Sequence, residues 1–243
     1  IDEIVRNVVS WNTEGLILIG MLHDDYLKIR SKYKKPAVLI DSYTPKNISR
    51  YVNIGLDDEE GGYLMTKYLL DCGHRKIAFL ADNMEGVDYI RYTGHQRALQ
   101  EYGLDIDLDN LIVIRPSKYE RQGNMEEIYA VAHKFTAFMC CSDYYAVTLM
   151  KYLKAKGIRF PEDLSITGFD DNLYAQLACP SLTTIHQDIF QRGTIAAEYL
   201  FKMIDGWNPK TTNLSLPVRL VVRDSVKILN PPEDDSSDDS SAL

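Results

Sequence analysis

Along this chain, short apolar runs alternate with stretches in which apolar residues recur every three to four positions. Leu16 to Ile19, Ala37 to Ile40 and Tyr51 to Ile54 read as strands, and a helical pattern follows from about Glu59 to Cys72. A second series reads as strands at Lys76 to Leu80, Leu111 to Ile114, Ala137 to Cys141 and Ser165 to Phe169. Its helices fall near Tyr92 to Tyr102, Gly123 to His133 and Tyr144 to Lys156. Gly73, Gly103, Gly157 and Gly206 each follow a helical pattern, where a left-handed residue ends a helix without steric cost. About seven strands are counted to Phe169. Beyond Thr184 come a helix from Ile189 to Ile204 and a long alternating stretch from Leu214 to Val226. Strands that alternate with helices predict an α/β fold with parallel sheets.

The 243 residues, 45% hydrophobic, suffice for one large core or two smaller ones. The net charge is −8, with 27 Lys and Arg against 35 Asp and Glu. Five of the acids, Glu233, Asp234, Asp235, Asp238 and Asp239, lie in the terminal stretch Asn230 to Leu243, so the remainder carries −3. A mildly acidic body is ill suited to gripping a polyanion. The Pro231-Pro232 and Asp/Ser run of 230–243 predicts a disordered acidic tail. No apolar run approaches the roughly 18 residues of a membrane span. Cys72, Cys140, Cys141 and Cys179 have no CxxC spacing and read as reduced core thiols of a cytoplasmic protein. The opening at Ile1, inside an apolar periodic stretch and without Met, reads as a fragment boundary, which leaves a preceding signal segment open.

Several chemistries find no support. His23, His74, His95, His133 and His186 show neither HxxxH nor HExxH spacing, so no metal site is expected. Neither GxGxxG nor GxxxxGK[ST] occurs, and no nucleophile turn accompanies a Ser-His-Asp or Cys-His order. No cofactor and no enzyme activity are therefore expected. Asp57-Asp58-Glu59-Glu60 precedes a helix and reads as first-turn charge favoured by the helix dipole.

The stretch from Phe160 to Asp188 is the most informative. Pro161-Glu162-Asp163 reads as a turn and Leu164 to Phe169 as an apolar strand, after which Asp170 and Asp171 stand at the strand's carboxyl end, where open α/β sheets bind ligands. The order Pro-Glu-Asp, strand, Gly168-Phe169-Asp170-Asp171 and Thr183-Thr184-Ile185-His186-Gln187-Asp188, with the upstream run Gly73-His74-Arg75-Lys76-Ile77-Ala78-Phe79, resembles the effector-binding core of the lactose-repressor (LacI) family. The resemblance extends from Thr13 to Leu229. It implies two Rossmann-like lobes of the type I periplasmic-binding-protein kind, joined by three crossovers. The N-terminal lobe is expected from 1–72 plus 186–213, incomplete at its start and with an unpaired sheet edge. The C-terminal lobe is expected from 73–185 plus 215–229. The helix-turn-helix headpiece and the first strands of the family pattern precede the matched region, so this stretch by itself should not bind operator DNA.

The resemblance also implies a ligand site. Arg91, in Arg91-Tyr92-Thr93-Gly94-His95, matches an effector-contacting Arg, with His95 in place of the usual aromatic; a lone Arg here would otherwise read as a surface ion pair. Asp170 matches a carboxylate facing the effector, and Asp171 is the expected helix cap. Ser142-Asp143 corresponds to a family Asn-Asp pair, with Asp143 open to either ligand or capping duty. Gln187 lies at a lobe crossing, Glu60 at a first-lobe position that can reach the ligand, and Tyr119 where relatives place an aromatic platform. The implied function is a cytoplasmic, homodimeric transcription regulator, a repressor, that senses a small molecule, a sugar by expectation, in the cleft between lobes. A secreted sugar-binding protein of a transporter is the alternative.

Overall fold

The computed structural model describes residues 2–21, 23–42, 51–82, 84–114, 121–210 and 212–229. In chain order its elements are α1 (Asp2–Ser10), β1 (Leu16–Ile19), α2 (His23–Lys32), β2 (Ala37–Ile40), β3 (Val52–Leu56), α3 (Asp58–Asp71), β4 (Ile77–Ala81) and α4 (Gly86–Glu101). There follow β5 (Leu111–Val113), α5 (Arg121–Ala132), β6 (Ala137–Cys140), α6 (Asp143–Ala155), β7 (Ser165–Thr167), α7 (Leu173–Leu177), β8 (Thr184–His186), α8 (Ile189–Ile204), β9 (Thr212–Leu216) and β10 (Arg219–Val221).

Two parallel sheets result, in the orders β1-β2-β3-β9 and β5-β4-β6-β7, with β8 and β10 as an antiparallel ribbon. The central strands β2, β3, β4 and β6 are buried along their whole length, which is why they read as unbroken apolar runs. On one face of the first sheet, Val8, Tyr26, Ile29 and Tyr33 pack against Leu18 and Leu39. On the other, Ala196 and its α8 neighbours Ile195, Tyr199 and Leu200 cover Val38, Ile40, Val52 and Ile54. Met125, Ile128, Leu149 and Leu153 cover one face of the second sheet, and Met65, Leu69, Leu70, Tyr92 and Leu99 the other. The chain leaves the first sheet for the second after β3, returns from it through the ribbon strand β8 and α8 to β9, and leaves the first sheet again for the ribbon strand β10.

Several boundaries differ from the sequence expectation. The alternating stretch from Leu214 to Val226 is two strands, because Pro217 has no N–H to carry a ladder onward. The first joins the parallel sheet beside β3, and the second turns to pair with β8. Helix α3 packs on the second sheet, although the expected division at Cys72 grouped it with the first. Helix α4 begins six residues before the expected Tyr92, so Arg91 sits within the helix. Helices α1 and α2 were not anticipated. Among the described residues β1 pairs only with β2, leaving Ile19 exposed at the edge. Cys72, Cys140 and Cys141 are buried, but Cys179 is exposed rather than a core thiol. The acidic tail lies outside the described residues.

Candidate functional site

The loops after the parallel strands gather charged side chains that periodicity alone would have left on the surface. Arg91 is 6% exposed: its Nε donates to Asp58 Oδ1 at 2.8 Å, its Nη1 to the Cys141 carbonyl at 2.5 Å, and its guanidinium lies 3.6 Å from the Phe169 ring centroid. Asp58 is 1% exposed, and such a pair survives burial only because both charges have bonded partners. Burial opposes the charge on Arg91, but Asp58 and Asp170 outweigh it and raise the pKa above its ordinary value.

Helices α3 and α4 bring this pair together. A Cβ on Gly62 would strike the Arg91 carbonyl, and one on Gly94 would strike the Glu59 carbonyl. The two glycines therefore permit the backbone approach that seats Arg91 beside Asp58.

Asp170 follows β7 with φ 124°, and Asp171 has φ 57°. Two consecutive non-glycine residues in positive φ are strained, and the surrounding bonds hold them. Gln187 Nε2 donates to Asp170 Oδ1 at 2.6 Å, and the Asp170 N–H donates to the Ile185 carbonyl at 2.9 Å. Asp171 accepts from Arg223 Nη2 at 2.5 Å and lies 2.8 Å from His186 Nδ1. Burial pushes the Asp170 carboxyl up to about 6, against the pull of Arg91 and the Gln187 bond. Burial would also raise Asp171, but its bonds to Arg223 and His186 hold it below the usual carboxylate range.

The first sheet contributes Asp41, just past β2 in a left-handed conformation (φ 51°), bonded through both carboxylate oxygens to Arg192 Nη1 at 2.7 and 2.8 Å. Burial raises its pKa, while Arg192 opposes the rise; Asp58 and Arg91 are both close enough to act on it. At the end of β4, the Asp82 N–H donates to Asp88 Oδ2 at 2.8 Å. Among the described residues, no group of three or more His, Cys, Asp or Glu side chains has a metal-binding arrangement.

The sequence-predicted residues divide accordingly. Arg91, Asp170 and Gln187 come together. Ser142 is instead the cap of α6, accepting from the Tyr145 N–H at 3.4 Å. Asp143 neither caps that helix nor presents its carboxylate outward: Oδ1 accepts from Thr184 Oγ1 at 2.6 Å and Oδ2 from the Asn172 N–H at 2.9 Å. Burial pushes it up to about 7 despite those bonds. Asn172, rather than Asp171, caps α7, because Arg223 and His186 have drawn Asp171 away. Glu60 pairs with Arg97 at 2.6 Å, so Asp58 takes the inner place expected of it. Tyr119 lies outside the described residues. Sequence reasoning missed Asp41, Asp82 and Arg192, each with no flanking motif. It also took Asp58 for ordinary first-turn charge, whereas the cap is Asp57, accepting from the Glu60 N–H at 3.2 Å.

A family model described as a periplasmic binding protein-like domain matches residues 66–226. Over 239 residues the chain is 35% identical to the HTH-type transcriptional repressor PurR of Vibrio atlanticus (strain LGP32), covering 94% of this chain and 69% of that protein. The chain belongs to the LacI family of transcription regulators. A solved LacI-family regulator from Enterococcus faecium with bound ribose superposes with a TM-score of 0.79 at 26% identity, covering 94% of this chain and 85% of that one. An arabinose metabolism transcriptional repressor of Geobacillus stearothermophilus is 33% identical over 196 residues, 74% of this chain and 52% of that protein. The LacI-family match is to the effector-binding core, and the chain spans about half to seven-tenths of these curated relatives (52% and 69%). The transporter alternative gains no support from these relatives.

Proposed function

We propose that this chain is the effector-binding core of a cytoplasmic LacI-family repressor that takes a small molecule, a sugar, between two lobes built on the two parallel sheets. The observation that carries this reading is the convergence of Arg91, Asp58, Asp170 and Gln187 at the carboxyl ends of the strands, with Asp41 and Arg192 beside them. Carboxylates and an amide offer acceptors to hydroxyl groups, and guanidinium groups offer paired donors. On this reading the lobe boundary falls near Asp57, since α3 packs with the second sheet. The ribose-bound relative and the arabinose metabolism repressor support the choice of a sugar.

A sugar that contacts both lobes shifts the lobe arrangement by its differential affinity for the two states. In a homodimer that shift changes the placement of two DNA-binding headpieces on their half-sites. Titration calorimetry of the full chain against D-ribose, L-arabinose, D-glucose and cellobiose, with purine bases as controls, tests the reading. Saturable binding of a sugar, weakened at least tenfold by Asp170→Asn, is the expected result. Binding of a purine base with no sugar response would overturn it.

A further inference from the structure

The charges and the unbonded polar atoms at this site bear on which form of a sugar it accepts, an extension that rests on the effector reading above. Both guanidinium groups there are already engaged: Arg91 by Asp58 and the Cys141 carbonyl, Arg192 by both oxygens of Asp41. Asp41, Asp58, Asp88 and Asp170 each lie close enough to act on Arg91 or Arg192. Among the described residues, at least four carboxylates therefore meet these two arginines. Gln187 adds an independent observation. It is 9% exposed, its amide nitrogen is committed to Asp170, and its Oε1 has no hydrogen-bond partner. Asp82 Oδ1 is likewise buried without one. A buried acceptor left unbonded loses its hydration without compensation, and a donor from the ligand would restore the bond.

We propose that this cleft recognises a ligand that donates hydrogen bonds and carries no negative charge, a free sugar rather than its phosphate ester. Sugar hydroxyl groups can donate to Gln187 Oε1 and to Asp170. A phosphoryl dianion has only acceptors to offer, so it would compete with Asp58 and Asp41 for guanidinium groups they already hold. It would also meet the field of the remaining carboxylates. Like-charge juxtaposition of this kind disfavours an anionic ligand beside the contacts that favour a neutral one.

Calorimetry on the full chain with matched pairs tests the proposal: D-ribose against ribose 5-phosphate, L-arabinose against arabinose 5-phosphate, and D-glucose against glucose 6-phosphate. The expected result is that a free sugar binds and its phosphate binds at least tenfold more weakly, the gap narrowing as salt is added. A phosphate that binds as tightly as its parent, or more tightly, overturns the proposal and leaves the effector reading standing. Failure of every sugar in both forms removes the sugar reading, and this proposal with it.

Discussion

Burial turns ordinary surface residue types into the groups that define this site. Arg91 illustrates the change: exposed it would be one more solvated cation, whereas beside a fully buried Asp58 it balances a charge that water cannot reach. Breaking such a pair costs about 3–5 kcal/mol. Arg91→Ala is therefore expected to lower stability by that amount in chemical denaturation, beyond any effect on ligand affinity; a loss under about 1 kcal/mol would show that the pair is not buried in solution. Asp143 and Asp170 predict a pH dependence. Their folded pKa values, about 7 and about 6, lie above the ordinary 3.8, so the folded chain holds protons that the unfolded chain has released. Their contribution to stability is complete below pH 4 and is lost as pH rises towards 7. Denaturation midpoints measured from pH 4 to 8 should show this decline, and Asp143→Asn should flatten the part of it between pH 4 and 7. Ligand affinity should respond in the opposite direction, falling as pH drops below about 6, because a protonated Asp170 cannot accept the same bonds. Calorimetry at pH 5 and pH 7.5 would reveal it, and a flat profile would remove Asp170 from the site.

At the scale of elements, the contact between α3 and α4 sets the position of Arg91. Gly62 and Gly94 face the opposing backbone so closely that neither tolerates a Cβ without a shift of the helices. Gly94→Ala is expected to cost about 1–3 kcal/mol and to weaken sugar binding, since the displaced helix carries Arg91. An alanine variant with unchanged stability and affinity would show the helices free to part. Periodicity made most of these elements legible: the expected helix from Ile189 to Ile204 and the strands Leu16 to Ile19 and Ala37 to Ile40 match within the residue. Gly86, a poor helix former, hid the first turns of α4, and the weakly amphipathic α2 offered too faint a stripe to be read.

For the whole molecule, the two parallel sheets and the ribbon between which the chain passes set which candidate residues meet at the strand ends. Tyr144, Leu173, Tyr174 and Leu177 are exposed together on α6 and α7, with Tyr144 and Tyr174 ring centroids 5.9 Å apart. An apolar face of this kind is one that the proposed homodimer would bury. Leu177→Asp should then convert the dimer to a monomer in sedimentation velocity, whereas a dimer that persists in this variant would place the interface elsewhere.

Local pattern by itself determined the alternation of strands and helices, the parallel sheets and the carboxylate pair at the end of β7, because hydrophobic period and turn chemistry are properties of a few adjacent residues. The motif order within Phe160 to Asp188 and Gly73 to Phe79 was enough for the family resemblance, and with the run Arg91-Tyr92-Thr93-Gly94-His95 it named Arg91, Asp170 and Gln187 as candidates. Only the tertiary structure decided that Asp58 rather than Glu60 meets Arg91, that Ser142 and Asn172 cap while Asp143 ties Thr184 to Asn172, and that Asp41 with Arg192 joins the site. Those partners lie 33, 41 and 151 residues apart for Arg91–Asp58, Thr184–Asp143 and Arg192–Asp41. Whether a carboxylate ends as a cap, a buried tie or a ligand acceptor depends on which distant donor the packing delivers to it, and that information resides in no single segment.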